Sequence, residues 1–446
     1  MKNRLCTILC LLTLLGVVLM DFQELWRPFK MKPLDGFTAT TEKPRLTWAQ
    51  WHSGAYQDQL EQYIRENFGF REFLIRVYNQ FTYSGFHQIN NDNIIEGADH
   101  ELFLKMYLDD ITGKRLFWFY HSIEEAKADA QKNMEATLTL IDQLHRHGTD
   151  FLFVFAPSKT AVYPEYMPKQ YQDAVADFSL QDYYLQLFKE NNIPHIDFLS
   201  YFQSIKNEFP YPLYTRTGTH WAESTIPMVA DSLFRKLETI TPYRLPSIDL
   251  LDEHPTTDYS GTDRELEASM NLLFPLRKPA LPRPVFTLKD TLGADRPNLL
   301  VIGDSYFGQL QHSCFVDAFD QWDYWQYNRD IYSSRKAYEG KEVNEFREAY
   351  KVLKDADIVI AMFTAPCFYK FMYGFPETAK NLYEKGYADK ETAIRQTIRK
   401  IKENPQWYEA IVKQADEHGL DIEENLRNNA VYVLDQEFKK QQEPKE

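Results

Sequence analysis

Cysteine is scarce in this 446-residue chain. There are four, Cys6, Cys10, Cys314 and Cys367. The first two sit in an apolar N-terminal run, and the other two are too far apart for a Cys-x-x-Cys metal motif. Cys314 and Cys367 could pair in an oxidising compartment, but free buried thiols are the expectation. The eleven histidines show no His-Glu-x-x-His spacing, and His145 and His147, two apart, point to different sides of a helix. No metal is expected. Basic charge is also in short supply: 50 Lys and Arg against 65 Asp and Glu leave a net charge of −15. Phosphate binding needs clustered cations, so nucleic acid is excluded as the expected partner. Internal repeats and low-complexity tracts are missing.

Only one long stretch is nearly free of polar residues. Residues 5–20 are almost wholly apolar and follow Lys2 and Arg4. The run is shorter than the ~20 residues that comfortably span a bilayer. No Ala-x-Ala-like site and no lipobox cysteine follow it, so an uncleaved signal anchor is expected over a cleaved signal peptide, with the remainder outside the cytoplasm.

What the chain does have is aromatic content, with 28 Tyr and 31 Phe. These suit a large core, or stacking surfaces of the kind sugars use. The length allows two or three domains. Residues 1–22 read as the membrane segment and 23–50, broken by Pro28, Pro33 and Pro44, as a tether. Helical spacing runs from Trp51 to Tyr83, a short hairpin is expected in 93–108, and a helix over Ser122–His147 carries Met134, Leu138, Ile141 and Leu144 on one face before Gly148. The run Phe151–Phe155, a helix over Phe178–Asn191 and a strand at Pro194–Phe198 have the βαβ rhythm of a parallel sheet. A helix follows Trp221. Residues 240–297 are rich in proline and poor in periodicity, and read as a partly ordered insertion with a short helix near Glu265–Leu273. Two more charge-free runs, Leu299–Ile302 and Ile358–Met362, suit strands buried on both faces. The segment 376–446 reads as a helical extension, with Asp421 and Glu424 as a capping box.

The run Leu299–Ile302 ends in Gly303-Asp304-Ser305 and leads into a helix. A strand, a tight turn and a Ser is one way to present a nucleophilic hydroxyl at the carboxyl end of a sheet. The alternative is a helix cap. Asp304, as a neighbour of Ser305, is expected to bond the turn backbone rather than a histidine. A nucleophilic Ser needs a base, and His220, in Thr217-Gly218-Thr219-His220-Trp221, is the candidate. A capping or packed His is the alternative there.

Together with Ser53-Gly54, Asn67-Phe68-Gly69-Phe70-Arg71, Ala156-Pro157-Ser158-Lys159 and Tyr163-Pro164-Glu165, these motifs resemble, in type and order, the alginate O-acetyltransferase-like family, whose SGNH-hydrolase-like domain is circularly permuted, and the related proteins named for an Asp-His-His-Trp-like motif. The resemblance covers about residues 50–370. It implies an α/β fold, an SGNH-hydrolase-like (flavodoxin-like) parallel sheet with flanking helices over 51–375. By the resemblance Ser305 takes an acyl group, His220 acts as general base, and the acyl group passes to a sugar hydroxyl, without a cofactor. Oxyanion or substrate contacts are expected from the backbone N–H of Ser305 or Tyr306, with Arg329 and Lys159 as further candidates. An exposed Arg329 and a surface-paired Lys159 are the alternatives.

One position departs from the family. Gly218 stands where the family has the Asp that orients the His. Asp197 or Glu223 are the candidates to replace it. A Ser–His dyad, a relocated acid and a degenerate protein that only binds polysaccharide all stay open. The expected function is an extracytoplasmic O-acyltransferase, with O-acetyl as its expected group, acting on a cell-envelope or secreted polysaccharide at the outer face of the cytoplasmic membrane. The resemblance also implies an acyl donor delivered across that membrane by a membrane-bound O-acyltransferase. A carbohydrate esterase with the same residues and a non-catalytic glycan-binding or assembly protein are the alternatives.

Overall fold

The computed structural model describes residues 2–36, 41–259 and 261–442. The chain divides into two compact units. The first unit takes residues up to Lys105, Thr215–Thr219 and Thr257–Pro279; the second takes the remainder, including the C-terminal helices.

In the first unit the apolar run is the front of a longer helix, Lys2–Trp26. Cys6–Trp26 is long and apolar enough to cross a membrane, because the helix continues past residue 20 and takes in Asp21 and Glu24. The expected tether is not loose where it leaves this helix. The Gln23 side chain holds both the amide and the carbonyl of Phe29, and Arg76 donates to the carbonyls of Lys32 and Pro33 at 2.9 and 2.7 Å. Asp35 and Asn271 exchange two hydrogen bonds. The long helical stretch is three helices, Trp48–Ser53, Ala55–Asn67 and Arg71–Phe86, broken at Gly54 and at Phe68–Phe70. Gly69 is needed for close approach: a Cβ there would lie 2.0 Å from the Met20 carbonyl oxygen. Strands β1 (Ile94–Glu96) and β2 (Leu102–Leu104) form the expected hairpin.

The second unit is built on β3 (Asp150–Ala156), β4 (His195–Asp197), β7 (Leu299–Gly303), β8 (Trp322–Gln326), β9 (Asp330–Ser333) and β10 (Ile358–Thr364), in the order β4-β3-β10-β7-β8-β9. Between β4 and β7 in the chain lie β5 (Ser247–Thr256) and β6 (Leu281–Lys289). The sheet is parallel except at β9, which pairs antiparallel with β8. It is therefore mixed rather than purely parallel. Every residue of β7 and β10 is buried, so neither strand alternates, as a sheet covered on both faces requires. One face packs on the helices Ile123–Arg146, Leu180–Glu190, Ala349–Asp355 and Phe375–Lys385 through Phe153, Phe155, Leu300, Ile302 and Phe363. On the other, Phe307 packs edge-on against Tyr324 and Phe315, and Phe315 stacks on Phe234 of helix Ile226–Ile240.

Several expectations need correction. Helix Ile123–Arg146 is capped by Ser122 and followed by Gly148 at φ +79, but Leu138 is exposed. The insertion is not irregular: β5 and β6 pair antiparallel over most of their length. Its prolines hid it. Pro255 pairs with Pro282, and Pro284 with Glu253; in a two-stranded ribbon every strand is an edge, where a missing N–H costs little. Helix Glu265–Met270 sits inside the insertion. The aromatic segment 322–332 is β8 and β9. The C-terminal helices carry a small core of Ile394, Ile401, Ile411 and Leu426, and Asp421 caps the last of them through the Glu424 amide at 3.0 Å.

Candidate active site

β7 runs out at Gly303 between two parallel neighbours, β10 and β8. The turn that follows projects Ser305 at the carboxyl end of the sheet, where open α/β sheets place their sites. His220 comes to it from a separate loop. An isolated bridge pairs Tyr214 with Trp221, and the Ala222 amide donates to the Leu213 carbonyl at 2.8 Å. These bonds hold the two ends of the loop together beside His220. Trp221 is fully buried and packs edge-on against Tyr306, while the imidazole lies 4.6 Å from the Tyr306 ring. The result is a hydrogen bond of 2.9 Å between His220 Nε2 and Ser305 Oγ. The two residues are 85 positions apart in the sequence.

Asp304 is a turn residue, as expected, and also more than that. It is 2% exposed. One carboxylate oxygen accepts the Tyr306 amide at 3.1 Å. The other accepts the Thr364 amide at 2.7 Å, the Thr364 hydroxyl at 2.6 Å and the Cys367 thiol at 3.3 Å. A buried carboxylate is tolerable when donors surround it in this way. The same arrangement occupies the Tyr306 N–H, which removes it as an oxyanion donor. The Ser305 N–H meets the Tyr327 phenol, and it is the backbone donor left beside Oγ for the task.

The groups around this carboxylate stay protonated at neutral pH. Burial first, then the charge of Asp304, pushes the Cys367 thiol well up. Cys367 and Cys314 are both free. Burial likewise raises the Tyr107 phenol, and it raises that of Tyr327, which also interacts with Ser305. Tyr327 was not legible in the sequence as a site residue. It and Asn328 both have left-handed backbones, with φ 54 and 50, in the turn between β8 and β9. The Arg329 amide closes that turn onto the Gln326 carbonyl at 3.0 Å. Glycine or asparagine is usual at such positions; a tyrosine there is backbone strain beside a reactive group.

The other expected residues are placed as follows. Asp197 ends β4 and caps helix Phe198–Ile205: its two oxygens take the Ser200 amide and hydroxyl at 3.0 and 2.5 Å. Its carboxylate is spent on the cap and does not orient His220. Glu223 opens a short 3-10 turn and pairs with Arg283 of the ribbon at 3.5 Å. Arg329 is exposed, and its guanidinium is taken by Asp330 at 2.7 Å. Lys159 is 2% exposed in the first turn after β3, behind the Ser158 cap; it is not a surface pair.

Gly218 has a local cause. Within the first unit, Thr215 and Thr217 both donate to the Asp263 carbonyl at 2.6 and 2.7 Å, and the Thr219 amide donates to the Glu265 carboxylate at 2.9 Å. This pulls the loop onto residues 262–265 so closely that a Cβ on Gly218 would lie 2.3 Å from the Thr262 carbonyl oxygen. No side chain fits at the position where an orienting Asp was expected. Nothing in the sequence marked Asp263 or Glu265 as holding this loop, since both lie within the proline-rich insertion.

Residues 113–309 match the family described as SGNH hydrolase-like domain, acetyltransferase AlgX; the match includes both His220 and Ser305. No curated protein matches the chain. Solved structures similar to it include the O-acetyltransferase domain of Pseudomonas putida AlgJ, at 16% identity over 62% of this chain and 92% of that one, with a TM-score of 0.39. Pseudomonas aeruginosa AlgX matches at 16% identity over 66% and 71%, TM-score 0.41, and Bacillus cereus PatB1 at 11% over 64% and 99%, TM-score 0.38. Over residues 113–309, then, the chain is similar to the SGNH hydrolase-like domain described for the acetyltransferase AlgX.

Proposed function

We propose that the protein is an extracytoplasmic O-acetyltransferase that acetylates a polysaccharide through an acyl-enzyme on Ser305. The observation that carries this reading is the hydrogen bond of 2.9 Å from His220 Nε2 to Ser305 Oγ. With Nδ1 protonated, Nε2 accepts the hydroxyl proton as Oγ attacks the donor's acyl carbonyl. The Ser305 amide and the protonated Tyr327 phenol stand ready for the developing oxyanion. The imidazolium then protonates the departing group. In the second half-reaction a sugar hydroxyl attacks the acyl-enzyme carbonyl and gives its proton to Nε2; the acyl–Oγ bond breaks, Oγ takes that proton back, and the acetyl group leaves on the sugar.

Such an enzyme outside the cytoplasm needs its acetyl groups brought across the membrane. A membrane-bound O-acyltransferase is the partner this reading implies, with helix Lys2–Trp26 as the anchor that keeps the two in one membrane. The test is turnover of a chromogenic acetyl ester by the wild-type chain beside Ser305→Ala and His220→Ala. Turnover lost in both variants supports the reading. Undiminished turnover in either one overturns the assignment of that residue, and a wild-type chain that neither turns over the ester nor becomes acetylated favours a glycan-binding protein. Adding glycan acceptors then separates transfer from hydrolysis by whether the sugar gains acetyl.

A further inference from the structure

The first unit contains a cavity of about 990 Å³ that has no part in the chemistry above. Its lining is unusual for a chain with a net charge of −15. Six cations face it, Lys30, Lys32, Arg76, Arg264, Arg277 and Lys278, against three carboxylates, Asp35, Asp258 and Glu267. The carboxylates do not balance them. Glu267 is taken by Lys278 and lies 3.6 Å from Arg264, and Asp35 lies 3.8 Å from Lys32. Lys30, Arg76 and Arg277 pair with no carboxylate among the described residues.

Arg76 is the informative one. It is 8% exposed, and its guanidinium is met only by carbonyls, of Lys32, Pro33 and Glu72. A buried cation without a counter-ion is costly unless an anion completes it. The remaining wall is apolar: Phe73, Leu272, Leu273, Phe274 and Leu276 line the same cavity, and Phe73 and Phe274 are 45% and 65% exposed.

We infer that this cavity holds an anionic phospholipid, its phosphate on the unpaired cations and its apolar part against Phe73 and the 272–276 loop. The argument for a lipid is the position of the cavity in the chain. Lys30 is four residues beyond Trp26, the last residue of the membrane-length helix. A chain of that length reaches no more than ~14 Å. Lys30, and with it the mouth of the cavity, therefore comes within reach of the headgroups of a bilayer spanned by that helix. The anchor and the cavity are one device: the helix holds the unit at the surface, and the cavity takes a charged lipid from it.

The test uses the full chain in detergent micelles, with phosphatidylglycerol or phosphatidylcholine added at equal mole fraction and retained lipid read by native mass spectrometry. Wild type should retain phosphatidylglycerol at least about tenfold more strongly than phosphatidylcholine. Lys30→Gln/Arg277→Gln should lose that preference with unchanged thermal unfolding, since both side chains are exposed. Equal retention of the two lipids, or full retention of phosphatidylglycerol by the double variant, overturns the inference. Displacement of phosphatidylglycerol by inorganic phosphate or by an oligouronate at concentrations that leave the micelle intact also overturns it, in favour of a free anion or an acidic glycan.

Discussion

The Asp304 carboxylate receives both the amide and the hydroxyl of Thr364, at 2.7 and 2.6 Å. That pair of bonds fastens the turn carrying Ser305 to the end of β10. Because both residues are buried, removing the acceptor leaves several donors unsatisfied. Asp304→Ala is expected to cost at least about 3 kcal/mol, and Thr364→Val about 1–2 kcal/mol. Urea unfolding at neutral pH measures both, with an unchanged slope in denaturant as the sign that only stability moved.

Restoring the family's acid should fail. Gly218→Asp places a Cβ 2.3 Å from the Thr262 carbonyl oxygen, which forces the backbone of residues 215–219 or 262–263 to shift. Overpacking of this kind costs about 1–3 kcal/mol. The variant should melt several degrees lower and turn over an acetyl ester more slowly than wild type. A variant that is as stable and more active would show that the loop has room the geometry denies.

Tyr327→Phe separates the hydroxyl from the strained turn that carries it. The turn keeps its shape because the ring stays. If the phenol donates to the oxyanion, kcat falls about 10²-fold with little change in KM. Initial rates on an acetyl ester, read beside thermal unfolding, decide it; unchanged rates leave Tyr327 as packing.

Asp110 makes stability depend on pH. Burial raises its carboxyl to about 6, against an ordinary value of 3.8. The folded state therefore binds its proton more tightly than the unfolded state between those values. Stability from this group is fully present below about pH 4 and is lost as pH rises through 6. Asp110→Asn should raise the melting temperature at pH 8, by on the order of 1–2 kcal/mol of stability, and leave it nearly unchanged at pH 4. A variant less stable than wild type at pH 8 would contradict this.

The parts of the fold legible in the sequence were those whose burial leaves a one-dimensional trace. β7 and β10 are charge-free, and β3 is so after Asp150, because both faces of the sheet are covered, and Ser305 was legible because it follows β7. β8 was not, because it carries Asp323 into the core, where Arg335 neutralises it; a paired buried charge looks like a surface residue in a sequence. The β5–β6 ribbon was hidden by the prolines that its edges tolerate. The site shows the same limit. His220 and Ser305 could be matched by type, whereas the reason for Gly218 is the close approach of Thr262, which no spacing along the chain reveals. Tyr327 was one aromatic among many until β8 delivered it to Ser305.

The central claim is that Ser305 forms the acyl-enzyme and His220 activates it. Brief incubation with an activated acetyl ester, acid quenching and peptide mass mapping test it directly. Wild type should gain a single acetyl group on the peptide holding Ser305, and Ser305→Ala none. His220→Ala should acylate more slowly by about 10³-fold or more. Acetyl found on another residue, or equal labelling of wild type and Ser305→Ala, would contradict the account.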